Sequence, residues 1–468
     1  MRLGRATAAA AYNLDAVATG HAHVGVGAFH RAHQAEYADD LLADGHLDWG
    51  IVGINLREPD LDRTLAPQDG LYHRVEVDGM RHTAQVLSAI RRTVMADRDP
   101  AAAVAALADP QVSVVTLSVT EKGMCHVPAT GALNHAHADI AHDAAHPARP
   151  RSAPGLLVAA LAARRAAGQV GPALISCDNV AGNGAVLRTV VVGLAAMTNR
   201  SLADWIAETV AFPSTMVDRI VPATRPEDLD RLATAMEVRD EAAVFCEPFR
   251  QWVIENAFRG PRPPWELAGA EIVADVAPYE TMKHRMLNGC QSALACLGWL
   301  GGCDHTSDAM AQPNLAAFAD RMMARELATT VTAPTDLDVY RARVLTRLAN
   351  TGLRHTTWQI ATDGSQKIPQ RLVAPFRERL LRGQASPHLA LSIAGWMQFV
   401  ATVPDLPDTL AAALKRVLGP DTVASLLSVP AVFGELGTHP GAHAQITHAL
   451  SLLRDVGPIE AAARAGAT

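Results

Sequence analysis

At 468 residues the chain is too long for one ordinary core, so two domains, or three, are expected. Nearly half of the residues are hydrophobic, which excludes disorder, and a net charge of −7 without a basic face argues against nucleic acid as a partner. Apolar runs fall short of the about 18–20 residues that a membrane span needs, so no membrane partner is expected.

The N-terminal stretch Met1-Arg-Leu-Gly-Arg is followed by alanines that Tyr12, Asn13 and Asp15 interrupt, and it reads as the start of a cytoplasmic protein. His23-Val-Gly-Val-Gly27 is then a short strand running into a glycine turn. His33 to Asp44 reads as a helix with Tyr37, Leu41 and Leu42 on one face, and Trp49 to Asn55 as a second strand. Val112 to Val119 is a β-branched third strand that ends in Thr120-Glu-Lys-Gly123. The run Asn134-His-Ala-His-Ala-Asp-Ile-Ala-His142, between Pro128-Ala-Thr-Gly131 and His146-Pro-Ala-Arg-Pro150, reads as an irregular surface excursion. It lacks the thiolate or carboxylate spacing of a metal site, and no metal is expected. Ser152 caps a helix through Leu156, Leu157, Ala160 and Leu161, and Ala173 to Cys177 is a buried strand that delivers Asp178 and Asn179. The alternation predicts a parallel sheet with crossover helices.

The character changes near residue 275, after the proline-rich 261–264 and a last short strand over 272–276. Long helical stretches follow: Thr281 to Leu300, Asn314 to Thr330, Leu337 to Leu348, Gln370 to Gly383 and Leu389 to Val400. The expected organisation is therefore α/β: a Rossmann-type dinucleotide-binding domain over residues 1–275 and a mainly α-helical substrate and catalytic domain over 276–468. The six cysteines form no C-x-x-C pair and read as structural thiols in a reducing compartment.

Gly25-Val-Gly27, after a strand and before a helix, has the form of a dinucleotide turn, although His30 stands where the third glycine would be. Arg31 could contact the pyrophosphate directly. After the second strand, Glu58 and Asp60 suit the ribose of NAD, whereas Arg57 would suit a 2′-phosphate; two acids against one base tilt the reading to NAD without excluding NADP.

Only four of the 41 basic residues are lysines: Lys122, Lys283, Lys367 and Lys415. Unlike arginine, a desolvated lysine can lose its proton and act as a base. Lys415 reads as a solvated helix residue. On a helix of about 100° per residue, Asn288 lies roughly 140° and Gln291 roughly 80° from Lys283, so all three share one broad face. A base with amide donors is what alcohol oxidation requires, and Asn179 offers a further amide from the first domain. The same spacing also suits polar residues facing water. Asp218 beside Arg219 reads as half of an ion pair. In Asp363-Gly-Ser-Gln-Lys-Ile-Pro-Gln-Arg371 two cations flank a proline that can start a helix.

The order of Val24-Gly-Val-Gly-Ala-Phe-His-Arg-Ala-His33, Thr120-Glu-Lys-Gly123, Ser176-Cys-Asp-Asn179, Val217-Asp-Arg-Ile220 and Lys283-x4-Asn288 resembles the long-chain mannitol dehydrogenase family over roughly residues 20–460. The resemblance implies a metal-independent, NAD(P)-dependent secondary-alcohol dehydrogenase, monomeric, with its active site between the two domains. It casts Lys283 as general acid/base, Asn179 and Asn288 as the oxyanion-binding pair, and Glu280 and Asp218 as residues of the substrate cleft. Phe29, Arg31 and Glu121 join Gly25 and Gly27 on the cofactor. The family pattern ends Lys-x4-Asn-x2-His, and this chain carries Gln291 at the last position. Within the family, residues 247–255 and 363–371 look most like fructuronate reductases, which interconvert D-fructuronate and D-mannonate, and an acid substrate would give Lys367 and Arg371 a carboxylate to hold. Mannitol 2-dehydrogenase is the alternative, and Gln291 motivates a further one, a non-catalytic nucleotide-binding relative.

Overall fold

In the computed structural model, residues 1–128, 130–332 and 335–466 are described. Ala129, within the excursion predicted above, lies outside them. The chain forms two compact units: Met1–Val77 with His82–Val276, and Asp78–Arg81 with Ala277–Thr468.

The first unit is built on a five-stranded parallel sheet. Its order is Ile90–Met95, Ile51–Asn55, His21–Val24, Val114–Leu117, Ala173–Ser176. Chain order reverses across His21–Val24, which makes the carboxyl end of that strand a topological switch point. Ser152 caps Ala153–Ala166 as predicted, its Oγ accepting the Gly155 N–H at 3.0 Å. The helix after the glycine turn starts earlier than predicted, as Ala28–Ala32, and resumes as Gln34–Ala43 after a break at His33.

The strands Tyr72–Asp78, Arg81–Leu87 and Ile90–Met95 were not anticipated. The first reads as polar, yet His73 and Arg74 are buried because partners distant in sequence meet them. Asp240 accepts from both the His73 backbone N–H and Nδ1, at 2.6 and 2.9 Å. Around Arg74 a buried ion network forms. Glu36, 6% exposed, faces Arg74 Nε at 3.3 Å, Arg250 Nη1 at 3.0 Å and Arg219 Nη1. Arg219 also reaches Glu76 at 3.0 Å, so its ionic partners are these glutamates, whereas Asp218 ends the buried strand Thr215–Asp218.

The second unit is helical. Its core helices Gly289–Leu300 and Pro387–Thr402 are buried on nearly all sides, as apolar helices at the centre of a domain must be. Gly395 lets them approach closely, since a Cβ there would lie 2.9 Å from Leu297 Cδ2. Lys415 is not simply solvated: its Nζ donates to Val400 O at 2.6 Å near the end of the second core helix. All six cysteines are free and buried. Among the described residues no helix is long and apolar enough to cross a membrane.

Candidate active site

In the first unit the carboxyl ends of the sheet bring the predicted cofactor residues to one edge. Gly25 has φ +98°, and a Cβ on it would lie 2.2 Å from Ser118 O, so only glycine fits this turn. Gly27 differs: the nearest atom to an added Cβ is 3.9 Å away, and the space above it is kept open. Arg31 is buried, its Nη1 donates to Val26 O at 3.5 Å and its Nε has no hydrogen-bond partner. An open glycine beside a buried guanidinium with an unpartnered N–H fits a pyrophosphate. Asn55, which the sequence reading missed, fastens this turn. Its Oδ1 accepts the Val26 N–H at 2.6 Å and its Nδ2 donates to Pro59 O at 2.7 Å.

Beyond the second strand lies a cavity of about 880 Å³, edged by Arg57, Arg98, His142 and His146. Arg57 is held by Asp139 at 3.1 and 3.2 Å, and Arg98 by Asp60 at 2.5 Å and by Asp62. Asp60 is thus engaged by a cation, and Glu58 is the exposed acid at this strand end. Within the predicted excursion, His137 caps the helix Ala138–Ala145, and His142 Nε2 lies 3.1 Å from Arg149 O. No group of three metal-ligating side chains converges among the described residues.

The missing third glycine has a structural counterpart. The His30 ring stacks on His23 with centroids 3.4 Å apart, and His21 Nε2 and His23 Nδ1 share Thr116 Oγ1 at 2.6 and 2.7 Å. Burial pushes His21 and His33 down to about 3, and His23 and His30 well below the usual histidine range. In the unfolded chain these imidazoles bind protons from about pH 6.5 downward. The unfolded state therefore takes up more protons, and stability falls as pH drops from about 6.5 toward 3. Between pH 6 and pH 5 each contributes a loss on the order of 1 kcal/mol. Burial pushes the Asp178 carboxyl up to about 6 and raises that of Asp39 as well, which works in the opposite direction but for fewer groups. The thermal midpoint is expected to fall steeply from pH 7 to pH 5; a flat profile would show that these imidazoles are not held neutral.

In the second unit Ala277–Met282, Lys283–Asn288 and Gly289–Leu300 follow one another as one continuous helix, whose middle segment is a π-turn. The spacing alone predicts a uniform α-helix here. An i→i+5 turn is wider, so Asn288 returns toward the side bearing Lys283 instead of lying roughly 140° away. Lys283 is 4% exposed, Asn288 8% and Gln291 6%, which sets aside a water-facing polar stripe. Asn288 Nδ2 donates to Gln291 Oε1 at 3.2 Å. Whichever way the two amides are turned, one N–H joins them and three remain as donors. Glu280, one turn earlier, is half-buried. His284 is buried, and burial together with neighbouring Lys283 and Arg371 drives it well below the usual range.

A second π-turn, Pro369–Val373, packs on the first. A Cβ on Gly289 would lie 2.9 Å from Arg371 O, and Arg371 Nη1 donates to Ser292 Oγ at 3.1 Å. Pro369 does not start this helix; Gly364–Ile368 precedes it, and the π-turn absorbs the proline. Lys367 Nζ donates to Ile360 O at 3.2 Å and Thr362 O at 2.6 Å, so this cation holds its own loop. Lys122 and Asn179 are exposed, in the first unit.

Residues 20–267 match the family model described as the mannitol dehydrogenase Rossmann domain, and residues 275–454 that of the mannitol dehydrogenase C-terminal domain. D-mannonate oxidoreductase of Escherichia coli is 43% identical over 88% of each chain, and mannitol 2-dehydrogenase of Cereibacter sphaeroides 38% identical over 94% of each. Mannitol 2-dehydrogenase of Pseudomonas fluorescens, solved as a ternary complex with NAD and D-mannitol, superposes with a TM-score of 0.91 at 33% identity, covering 99% of both chains.

Proposed function

Because this chain belongs to the mannitol dehydrogenase family, we propose that it is an NAD-dependent oxidoreductase interconverting D-fructuronate and D-mannonate. The observation that carries the reading is the buried Lys283 on a π-turn with a paired amide beside it. The identity to a D-mannonate oxidoreductase supports the substrate class, and the NAD complex of the similar mannitol 2-dehydrogenase supports the cofactor.

Gly25, Gly27, Phe29 and Arg31 would hold the pyrophosphate, Glu58 the ribose, and Glu121 would stand by the nicotinamide. When bound, the cofactor supplies or accepts hydride. In the oxidation direction the Lys283 amine takes the hydroxyl proton of the substrate; in reduction its ammonium returns the proton to the carbonyl oxygen. Asn288, Gln291 and Asn179 donate N–H bonds to the oxygen as its charge develops. Gln291 cannot carry a proton, so the proton inventory rests on Lys283, with Glu280 and Asp218 as polar neighbours of the substrate.

Of the two cations predicted to bind a carboxylate, Lys367 faces two carbonyls of its own loop, and Arg371 is assigned the carboxylate. Arg371→Ala is expected to lower kcat/KM for D-fructuronate by about 10–100-fold, the range for losing a hydrogen bond to a charged group, and to spare D-fructose. Equal losses on both ketones would remove the carboxylate assignment and favour a mannitol 2-dehydrogenase reading.

A further inference from the structure

Two neighbouring strands of the central sheet end in motifs that the reaction reading uses only in part. Val114–Leu117 runs into Ser118-Val-Thr120-Glu-Lys-Gly123, and Ala173–Ser176 into Cys177-Asp178-Asn179. Thr120 has φ +69°. A β-branched residue rarely adopts the left-handed region, and such strain persists only where surrounding contacts enforce it.

Asp178 provides those contacts. Its Oδ1 accepts the Thr120 N–H at 2.7 Å and its Oδ2 the Val119 N–H at 3.3 Å. Ser176 Oγ donates to Oδ2 at 3.4 Å, and Asp178 is only 8% exposed. The carbonyl of Asp178 is fixed in turn by Asn183 Nδ2 at 3.1 Å, which also donates to Thr215 O at 2.9 Å. On its other side the loop packs directly on the glycine turn, where Ser118 O forbids a Cβ at Gly25.

We propose that Asp178 is a positioning residue: its carboxylate holds Thr120 in the left-handed conformation and thereby sets Glu121 and the adjoining Asn179 at the nicotinamide side of the switch point. The inference rests on the cofactor reading above, because a dinucleotide straddles the strand where chain order reverses. A carboxylate is required because two N–H groups face it and it presents only acceptors. An asparagine would turn an N–H toward one of them. Burial raises the Asp178 carboxyl to about 6 while the two backbone donors oppose the rise, so the charged form that these bonds need prevails above about pH 6.

The test uses Asp178→Asn with and without Thr120→Gly, because glycine adopts positive φ without steric cost. In the full-length chain without cofactor, amide exchange over residues 118–123 is expected to rise at least about tenfold in Asp178→Asn. With NADH, kcat is expected to fall about 100-fold, the order reported for small misplacements of reacting groups, while the NADH Kd stays within about threefold. The emission of bound NADH should shift. Adding Thr120→Gly should restore about tenfold of kcat and return the emission toward wild type. Ser176→Ala keeps the carboxylate, reads the same clamp more gently, and should raise the exchange several-fold. Unchanged exchange in both Asp178→Asn and Ser176→Ala, or losses that Thr120→Gly does not relieve, would overturn the proposal. A wild-type protein that turns over no ketone would defeat the substrate reading alone, since exchange and NADH emission still decide the clamp.

Discussion

Lys283→Ala is expected to reduce kcat for ketone reduction by about 10²–10⁴-fold, the span that a positioned acid/base contributes, with NADH affinity unchanged within about threefold. The expectation follows from burial and phase together. Lys283 is 4% exposed and begins a π-turn, so the helix turns it and Asn288 toward one side. Two of the other lysines are already engaged within the second unit. Lys367 donates to two carbonyls and Lys415 to Val400 O. Buried His284, driven well below the usual histidine range, is a poor proton donor. Retained turnover in Lys283→Ala would refute the assignment of the base.

The largest effect on stability is expected at Glu36. Its carboxylate meets three guanidinium groups, those of Arg74, Arg219 and Arg250, and Glu36→Ala leaves them facing one another with only Glu76 and Asp40 as compensation. Removing one partner of a buried ionic network costs about 3–5 kcal/mol. For a unit of this size that lowers the thermal midpoint by about 6–20 °C. Calorimetry of the variant checks this; a midpoint within about 2 °C of wild type would mean that the network contributes no net stability.

How far the sequence could be read depended on whether partners were local. In the parallel sheet, Val114–Leu117 and Ala173–Ser176 announced themselves because burial on both faces makes them continuous apolar runs. The edge strand Ile90–Met95, with Arg91, Arg92 and Thr93 not fully buried, did not. Leu337–Leu348 carried its own periodicity and matched residue for residue. Tyr72–Asp78 did not, since its buried His73 and Arg74 are satisfied by Asp240, Glu36 and Glu76, most of them remote along the chain. In the site, Lys283, Asn288 and Gln291 were legible as residue types at a spacing, but their phase was not, because a π-turn leaves no mark in a 3.6-residue pattern. Asp178 and Asn55 were passed over for a similar reason: each acts on a backbone N–H, and the sequence does not show which loop will be within reach.

Under the proposed function, the chain reduces a sugar-acid ketone with NADH through Lys283. Steady-state NADH oxidation by the wild-type protein with D-fructuronate, tagaturonate and D-fructose tests it most directly. Turnover is expected to be fastest with D-fructuronate and to fall by about 10²–10⁴-fold in Lys283→Ala. NADH binding without turnover of any of these ketones would contradict the account and favour a non-catalytic nucleotide-binding relative.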